Sequence, residues 1–171
     1  MFFINLFLGF LLFILFLLVI SALIGVPFLP TNSKQAKLMM DLAEVGPKTR
    51  LVDLGSGAGR LLFLAAGRGA SAIGYELNPF LYYWTKLFIF LKGYTGKVEV
   101  RLQSLYTAEV GEADVVTAFL FNEPMRKLEP KLWREMRAGA KVVSYTFPIL
   151  NRQHIVKEQG IYVYEIERSN A

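Results

Sequence analysis

Asp53, Gly55, Gly57 and Gly59 fall within seven consecutive positions, and Glu76 follows 21 positions after Gly55. Glycines spaced in this way between an apolar stretch and a helix-forming one permit positive φ and a close approach of main chain to a ligand. The free N–H groups of the helix that follows point at the same place. A carboxylate about twenty residues further on, at the end of the next strand, is positioned for the two hydroxyls of a ribose. The chemistry implied is recognition of a nucleoside-bearing cofactor. The third glycine arrives one position too early for the G-x-G-x-x-G of dinucleotide sites, giving G-x-G-x-G. The spacing therefore departs from the dinucleotide fingerprint. The plain alternative is a glycine-rich turn that holds no ligand. Three glycines cost conformational entropy that a function readily explains.

Patterning supplies the elements that must hold these groups. Residues 50–54 read as a buried strand, 60–68 as a helix and 72–76 as a second strand ending in Glu76. Asn32 or Ser33 can cap a preceding helix to about residue 45, closed by Gly46-Pro47. Residues 79–92 form a second crossover helix. On a 100° wheel Phe80, Leu81, Trp84, Leu87, Phe88 and Leu91 make its core-facing arc, leaving Tyr82, Tyr83, Ile89 and Phe90 around Lys86 on an outward side that is unusually apolar. That side is either covered by another part of the protein or a partner, or lies at a bilayer interface. Further strands are expected at 97–102, 114–119 and 141–146. After residue 148 a hairpin of 154–158 and 161–167 turns at Gln159-Gly160. The result is an α/β sheet of Rossmann type with a trimmed C-terminal end and an open site, which suits a large or membrane-embedded acceptor.

Ligands in such sheets lie beyond the C-terminal strand ends, so the loop 120–124 borders the reacting group. Asn122 and Glu123 are its candidate catalytic residues; the plainer role for Asn122 is to cap the next helix, with Pro124 in the first turn. Tyr145 could reach the site, although a satisfied core tyrosine is the simpler account. His154 is the one histidine and has no companion cluster, so no metal site is expected. With no cysteine, disulfides, thiolate metal sites and cysteine nucleophiles are excluded.

Hydrophobic residues make up 54% of the 171, and the excess lies at one end. Residues 1–33 hold 24 apolar side chains and no charge, so all 19 basic and 14 acidic residues fall beyond them. Residues 6–24, broken only by Gly9 and Ser21, would span ~29 Å as a helix, close to the hydrocarbon thickness of a bilayer. The organisation expected is a transmembrane anchor over 1–26, a linker and helix over 27–48, and a catalytic domain over 49–171. No basic residue precedes the apolar run, which argues against a cleaved signal peptide. Lys34 and Lys37 follow it, so the positive-inside rule leaves a single-pass protein with its C-terminal domain cytoplasmic. The net charge of +5 fits anionic lipid headgroups better than a cationic substrate. Nucleic acid is disfavoured by the anchor and by the lack of interleaved aromatic and basic residues.

Residues 51–60, LVDLGSGAGR, resemble motif I of the class I (seven-strand) methyltransferases, which use S-adenosyl-L-methionine. Together with residues 27–30, 74–79 and 142–148, they are similar to the small lysine N-methyltransferases of the adenine nucleotide translocase and the ATP synthase c-subunit, which also carry a hydrophobic segment ahead of the domain. The resemblance implies cofactor-binding roles for Asp53, Gly55, Ser56, Gly57, Gly59, Glu76 and Asn78. Gln103 and Ser104 would lie beside the adenine, where the family often has an acid, and Ala58 replaces a usual Asp. A fainter similarity over 113–147 to histone lysine methyltransferases without a SET domain points to the same chemistry. The expected activity is methyl transfer to the lysine of a membrane-associated protein. Glu123, a backbone carbonyl or water would take the proton. Methylation of a lipid, quinone or other small molecule, and cofactor binding without catalysis, are the alternatives.

Overall fold

The computed structural model describes residues 3–9, 11–12 and 31–167. The expected membrane span, residues 6–24, falls largely outside them. Among the described residues no helix is long and apolar enough to cross a membrane.

Strands β1 (Arg50–Leu54), β2 (Ser71–Glu76), β3 (Val98–Leu102), β4 (Val115–Ala118), β5 (Lys141–Tyr145), β6 (Val156–Glu158) and β7 (Ile161–Glu165) form one sheet in the order β3-β2-β1-β4-β5-β7-β6. The first five run parallel, and β7 pairs antiparallel with both β5 and β6. The order of strand addition reverses between β1 and β4, so the crevice of a doubly wound sheet opens at the C-terminal end of β1. Gln159 (φ 46°) and Gly160 (φ 79°) make the two-residue hairpin turn, both left-handed as a type I′ geometry requires.

One sheet face is covered by α1 (Ser33–Leu42), α2 (Arg60–Gly67) and α3 (Pro79–Leu91). Asn32 caps α1, its side-chain oxygen accepting from the Lys34 N–H at 2.9 Å. Ala36, Met39 and Met40 then pack fully buried with Leu61, Leu62, Ala65 and Ala66 of α2 in the same core. Among the described residues the other face is served by a single helix, α4 (Asn122–Glu135), whose Met125, Leu128 and Leu132 cover Val116, Ala118 and Val142. Between β3 and β4 there is one 3-10 turn, Leu105–Thr107, and residues 146–155 pass from β5 to β6 without a helix. The trimming expected at the C-terminal end therefore extends to this whole face.

The wheel assignment for α3 is corrected. Thr85 and Ile89 are the buried residues, with Leu81, Tyr82 and Phe88 half-buried, while Phe80, Trp84, Leu87 and Leu91 are exposed. The reason is local. Thr85 donates its hydroxyl to the Gly57 carbonyl at 3.0 Å, and its methyl occupies the space a Cβ on Gly59 would need. Polarity scoring places a threonine outside; here its hydrogen bond is satisfied inside and its small size draws the helix onto the turn.

Candidate functional site

β1 ends in Leu54, and residues 55–59 turn the chain into α2 with Gly55, Gly57 and Gly59 all at positive φ (84°, 54° and 78°). The turn is tied to β2, because the amides of Gly55 and Ser56 both donate to the Tyr75 carbonyl, at 2.9 and 3.1 Å. Nothing lies within 4 Å of where a Gly55 Cβ would stand, so main chain is accessible from that side. Gly59 has no such room, since an added Cβ would stand 2.7 Å from Thr85 Cγ2.

Glu76, at the end of β2, accepts from the Gly57 N–H at 2.7 Å and from the Asn78 N–H at 2.8 Å, one to each oxygen. The carboxylate is thereby fixed beside the glycine turn, and each oxygen retains a second lone-pair direction for a hydroxyl donor. Asp53 is buried in mid-sheet, paired in register with Thr117, whose hydroxyl donates to it at 2.7 Å. Burial pushes its carboxyl up to about 7; the Thr117 hydrogen bond opposes that rise and the Glu76 charge adds to it. The structure thus brings Asp53, the glycine turn and Glu76 together at the C-terminal end of β1 and β2. Ser56 lies among them, buried, with a side-chain oxygen that has no hydrogen-bond partner.

The other predicted residues sit nearby in more local roles. Asn78 caps α3, its oxygen accepting from the Phe80 N–H at 2.9 Å. The Gln103 amide N–H donates to the Glu76 carbonyl at 3.2 Å, while its side chain donates to the Thr107 carbonyl at 2.8 Å. Ser104 caps the 3-10 turn, accepting from the Tyr106 N–H at 3.4 Å. Gln103 and Ser104 therefore line the β3 side of the site.

Asn122 does not cap α4. Phe121 holds the cap position with extended backbone and no side-chain bond, and Asn122 is the first helical residue. Pro124 fixes the first turn from within, and the aromatic pair Phe121–Phe147, 5.0 Å between centroids, holds the approach. Glu123 is exposed and paired with Arg126 at 2.8 Å, which holds its carboxyl below the usual range. Tyr145 is half-buried against Phe119, 5.0 Å between centroids. His154 is exposed and lies edge-on to Tyr162.

Thr85, Thr117 and Gly74 escaped the sequence reading. A signal for each exists in hindsight: Thr117 is the lone hydroxyl of an otherwise apolar strand, and Thr85 is the one small side chain among the bulky residues of α3. Gly74 sits in register beside Asp53, where a Cβ would come within 2.6 Å of Leu62 Cδ1 and Ser56 Oγ.

This arrangement has counterparts. The chain is 32% identical over 151 residues to a protein-lysine N-methyltransferase of Saccharolobus islandicus, covering 82% of this chain and 94% of that one. It is 33% identical over 122 residues to the human lysine N-methyltransferase of the ATP synthase c-subunit, covering 71% of this chain but 52% of the relative, so it spans about half of that protein's length. Among solved structures, an RNA methyltransferase from Salinibacter ruber in complex with S-adenosyl-L-homocysteine aligns with a TM-score of 0.78 and 32% identity, over 84% of this chain and 98% of that one. The sequence model of the ANTKMT methyltransferase domain matches residues 53–155, from the buried aspartate to the start of the terminal hairpin, and the chain belongs to that family.

Proposed function

We propose that this chain is an S-adenosyl-L-methionine-dependent methyltransferase acting on a lysine side chain of a membrane-associated protein. The observation that carries the cofactor reading is the Glu76 carboxylate, held on both oxygens between the glycine turn and the start of α3. The donor set fits the cofactor. Glu76 offers acceptors to two ribose hydroxyls, the open main chain at Gly55 admits the methionine portion, and the buried Asp53 and unpartnered Ser56 oxygen suit an ammonium group. Asn78 holds the loop that presents Glu76, and Gln103 and Ser104 border the adenine side.

The bound cofactor supplies a methyl group on a sulfonium that is already a good leaving group. The protein therefore contributes alignment and a site from which water is excluded. Lysine must react as the neutral amine, and its ordinary pKa of about 10.4 requires a proton acceptor. Glu123 is a poor one, because Arg126 stabilises its ionised form. A water leading to solvent takes the proton, with a carbonyl at the end of β4 accepting a hydrogen bond from the amine and Asn122 at the mouth of the site to orient it.

The lysine assignment draws on the relatives named for that substrate. RNA is the second reading, favoured by the Salinibacter ruber protein and by the net charge of +5. Residues 6–24 are proposed as a membrane tether from their composition. Incubation of isolated membranes with methyl-labelled cofactor tests the assignment. Label in protein, absent with Asp53→Ala, supports it; label confined to lipid or to ribonuclease-sensitive material refutes the lysine acceptor. Cofactor binding without any labelling would identify a non-catalytic binding protein.

A further inference from the structure

Seen down its axis, α3 exposes a continuous arc of about 160°, at 100° per residue, running through Lys86, Phe90, Tyr83, Leu87, Phe80, Leu91 and Trp84. Six of these seven side chains are large and apolar, and Phe90 is 73% exposed. A helix on the surface of a protein in water normally shows the reverse pattern. Exposed Leu77, just before the helix, continues the patch toward Glu76.

Charge indicates what the arc meets. Between Glu76 and Glu99 the chain carries Lys86, Lys92 and Lys97 and no carboxylate. All three lysines are exposed. Lys86 Nζ lies 5.6 Å from the Tyr82 ring centroid, and Lys92 Nζ lies 5.7 Å from that of Phe63, so each ammonium rests against an aromatic ring at the exposed surface. An apolar arc with tyrosine, tryptophan and flanking lysines is the composition of a helix lying in the boundary layer of a bilayer, and the lysines favour anionic headgroups.

Placement agrees. Thr31 and Asn32, just before α1, follow the uncharged residues 13–30. Ser33, at the start of α1, accepts from Arg60 at 2.5 Å, and Arg60 follows Gly59, which abuts Thr85 on α3. The start of α1 is therefore tied through Arg60 to the end of the glycine turn, against which α3 packs.

We propose that the outward face of α3 rests on an anionic lipid surface, with its aromatic side chains in the interfacial layer and Lys86 and Lys92 at headgroup level. A tether alone would leave the orientation of the catalytic domain free; this contact fixes it. The proposal stands independently of which acceptor is methylated.

The two tryptophans of the chain make it testable. Full-length protein with Trp133→Phe, which leaves Trp84 as the reporter, is reconstituted in vesicles of chain-brominated phosphatidylcholine with phosphatidylserine. Trp84 emission is expected to shift to the blue and to fall by about half or more, as for a ring at headgroup level. The Trp84→Phe protein, reporting from half-buried Trp133, stays unquenched. Lys86→Glu with Lys92→Glu reduces the quenching in anionic vesicles. Protein that floats with vesicles while Trp84 remains unquenched overturns the contact, even though it leaves the tether standing. Blue-shifted but unquenched emission, as from a second copy or residues 13–30 covering the helix, overturns it too. Equal quenching of Trp133, or quenching indifferent to phosphatidylserine and to the lysine reversals, also refutes the proposal.

Discussion

Ionising Asp53 in the ligand-free protein is unfavourable, because a carboxylate at its position has one hydroxyl donor and little solvent. Its folded value of about 7 lies above the ordinary 3.8, so the unfolded chain loses this proton first. The stability contributed by the neutral form is complete below the unfolded value and is lost as pH rises to about 7. At about 1.4 kcal/mol per unit, the loss amounts to a few kcal/mol. Urea denaturation at pH 5 and pH 8 should show the wild type less stable at pH 8, and Asp53→Asn should remove most of that difference. A bound ammonium group reverses the balance, so cofactor binding near pH 6 should release a proton, detectable by calorimetry in buffers of different ionisation enthalpy. Glu76→Gln keeps the side-chain length but leaves only one oxygen for the amides of Gly57 and Asn78. It should weaken cofactor binding by roughly tenfold or more in titration calorimetry, the scale of a lost charge-assisted hydrogen bond.

At the scale of elements, the glycine turn and α3 are one assembly. Gly59→Ala would place a Cβ 2.7 Å from Thr85 Cγ2 at φ +78°, and Thr85 cannot swing aside without giving up the Gly57 carbonyl. Strain and overpacking together should lower stability by about 2–4 kcal/mol in thermal or chemical denaturation. Thr85→Val, nearly the same shape, should cost only about 1 kcal/mol, the net value of one hydrogen bond, but should loosen the turn and weaken cofactor binding more than it lowers Tm. The elements themselves were legible in the sequence. β1, the glycine turn, α2, β2 and the Gln159-Gly160 hairpin fell within a few residues of expectation because glycine conformation and apolar alternation are local signals. The face of α3 was not legible: a wheel ranks residues by polarity, whereas burial of Thr85 depends on the carbonyl of Gly57, 28 positions away. The Asp53–Thr117 pair was hidden for the same reason, since it depends on strand register. Asn122 was misplaced by one position because the cap carries no side-chain bond to announce it.

For the whole molecule, the unequal cover of the two sheet faces decides where substitutions hurt. Among the described residues α4 is the one helix on its face, and Leu132 is fully buried there, so Leu132→Ala should cost about 2–5 kcal/mol in denaturant titration. Removing residues 1–30 should move the protein from the membrane pellet to the supernatant while leaving cofactor affinity unchanged, measured by fractionation and calorimetry on the same preparation. The link from Glu76 to Gly57, and from Gly57 to Thr85, has one more consequence. The Gly57 amide is bonded to a side chain on another element, not to a helix or strand ladder, and the carbonyl of the same residue is held by α3. Its hydrogen exchange therefore requires the end of β2 or the turn to come away from α3. Exchange at Gly57, at Asn78 and in the first turn of α3 should accordingly follow a common opening free energy, well below that of the central strands, and slow together when the cofactor is added.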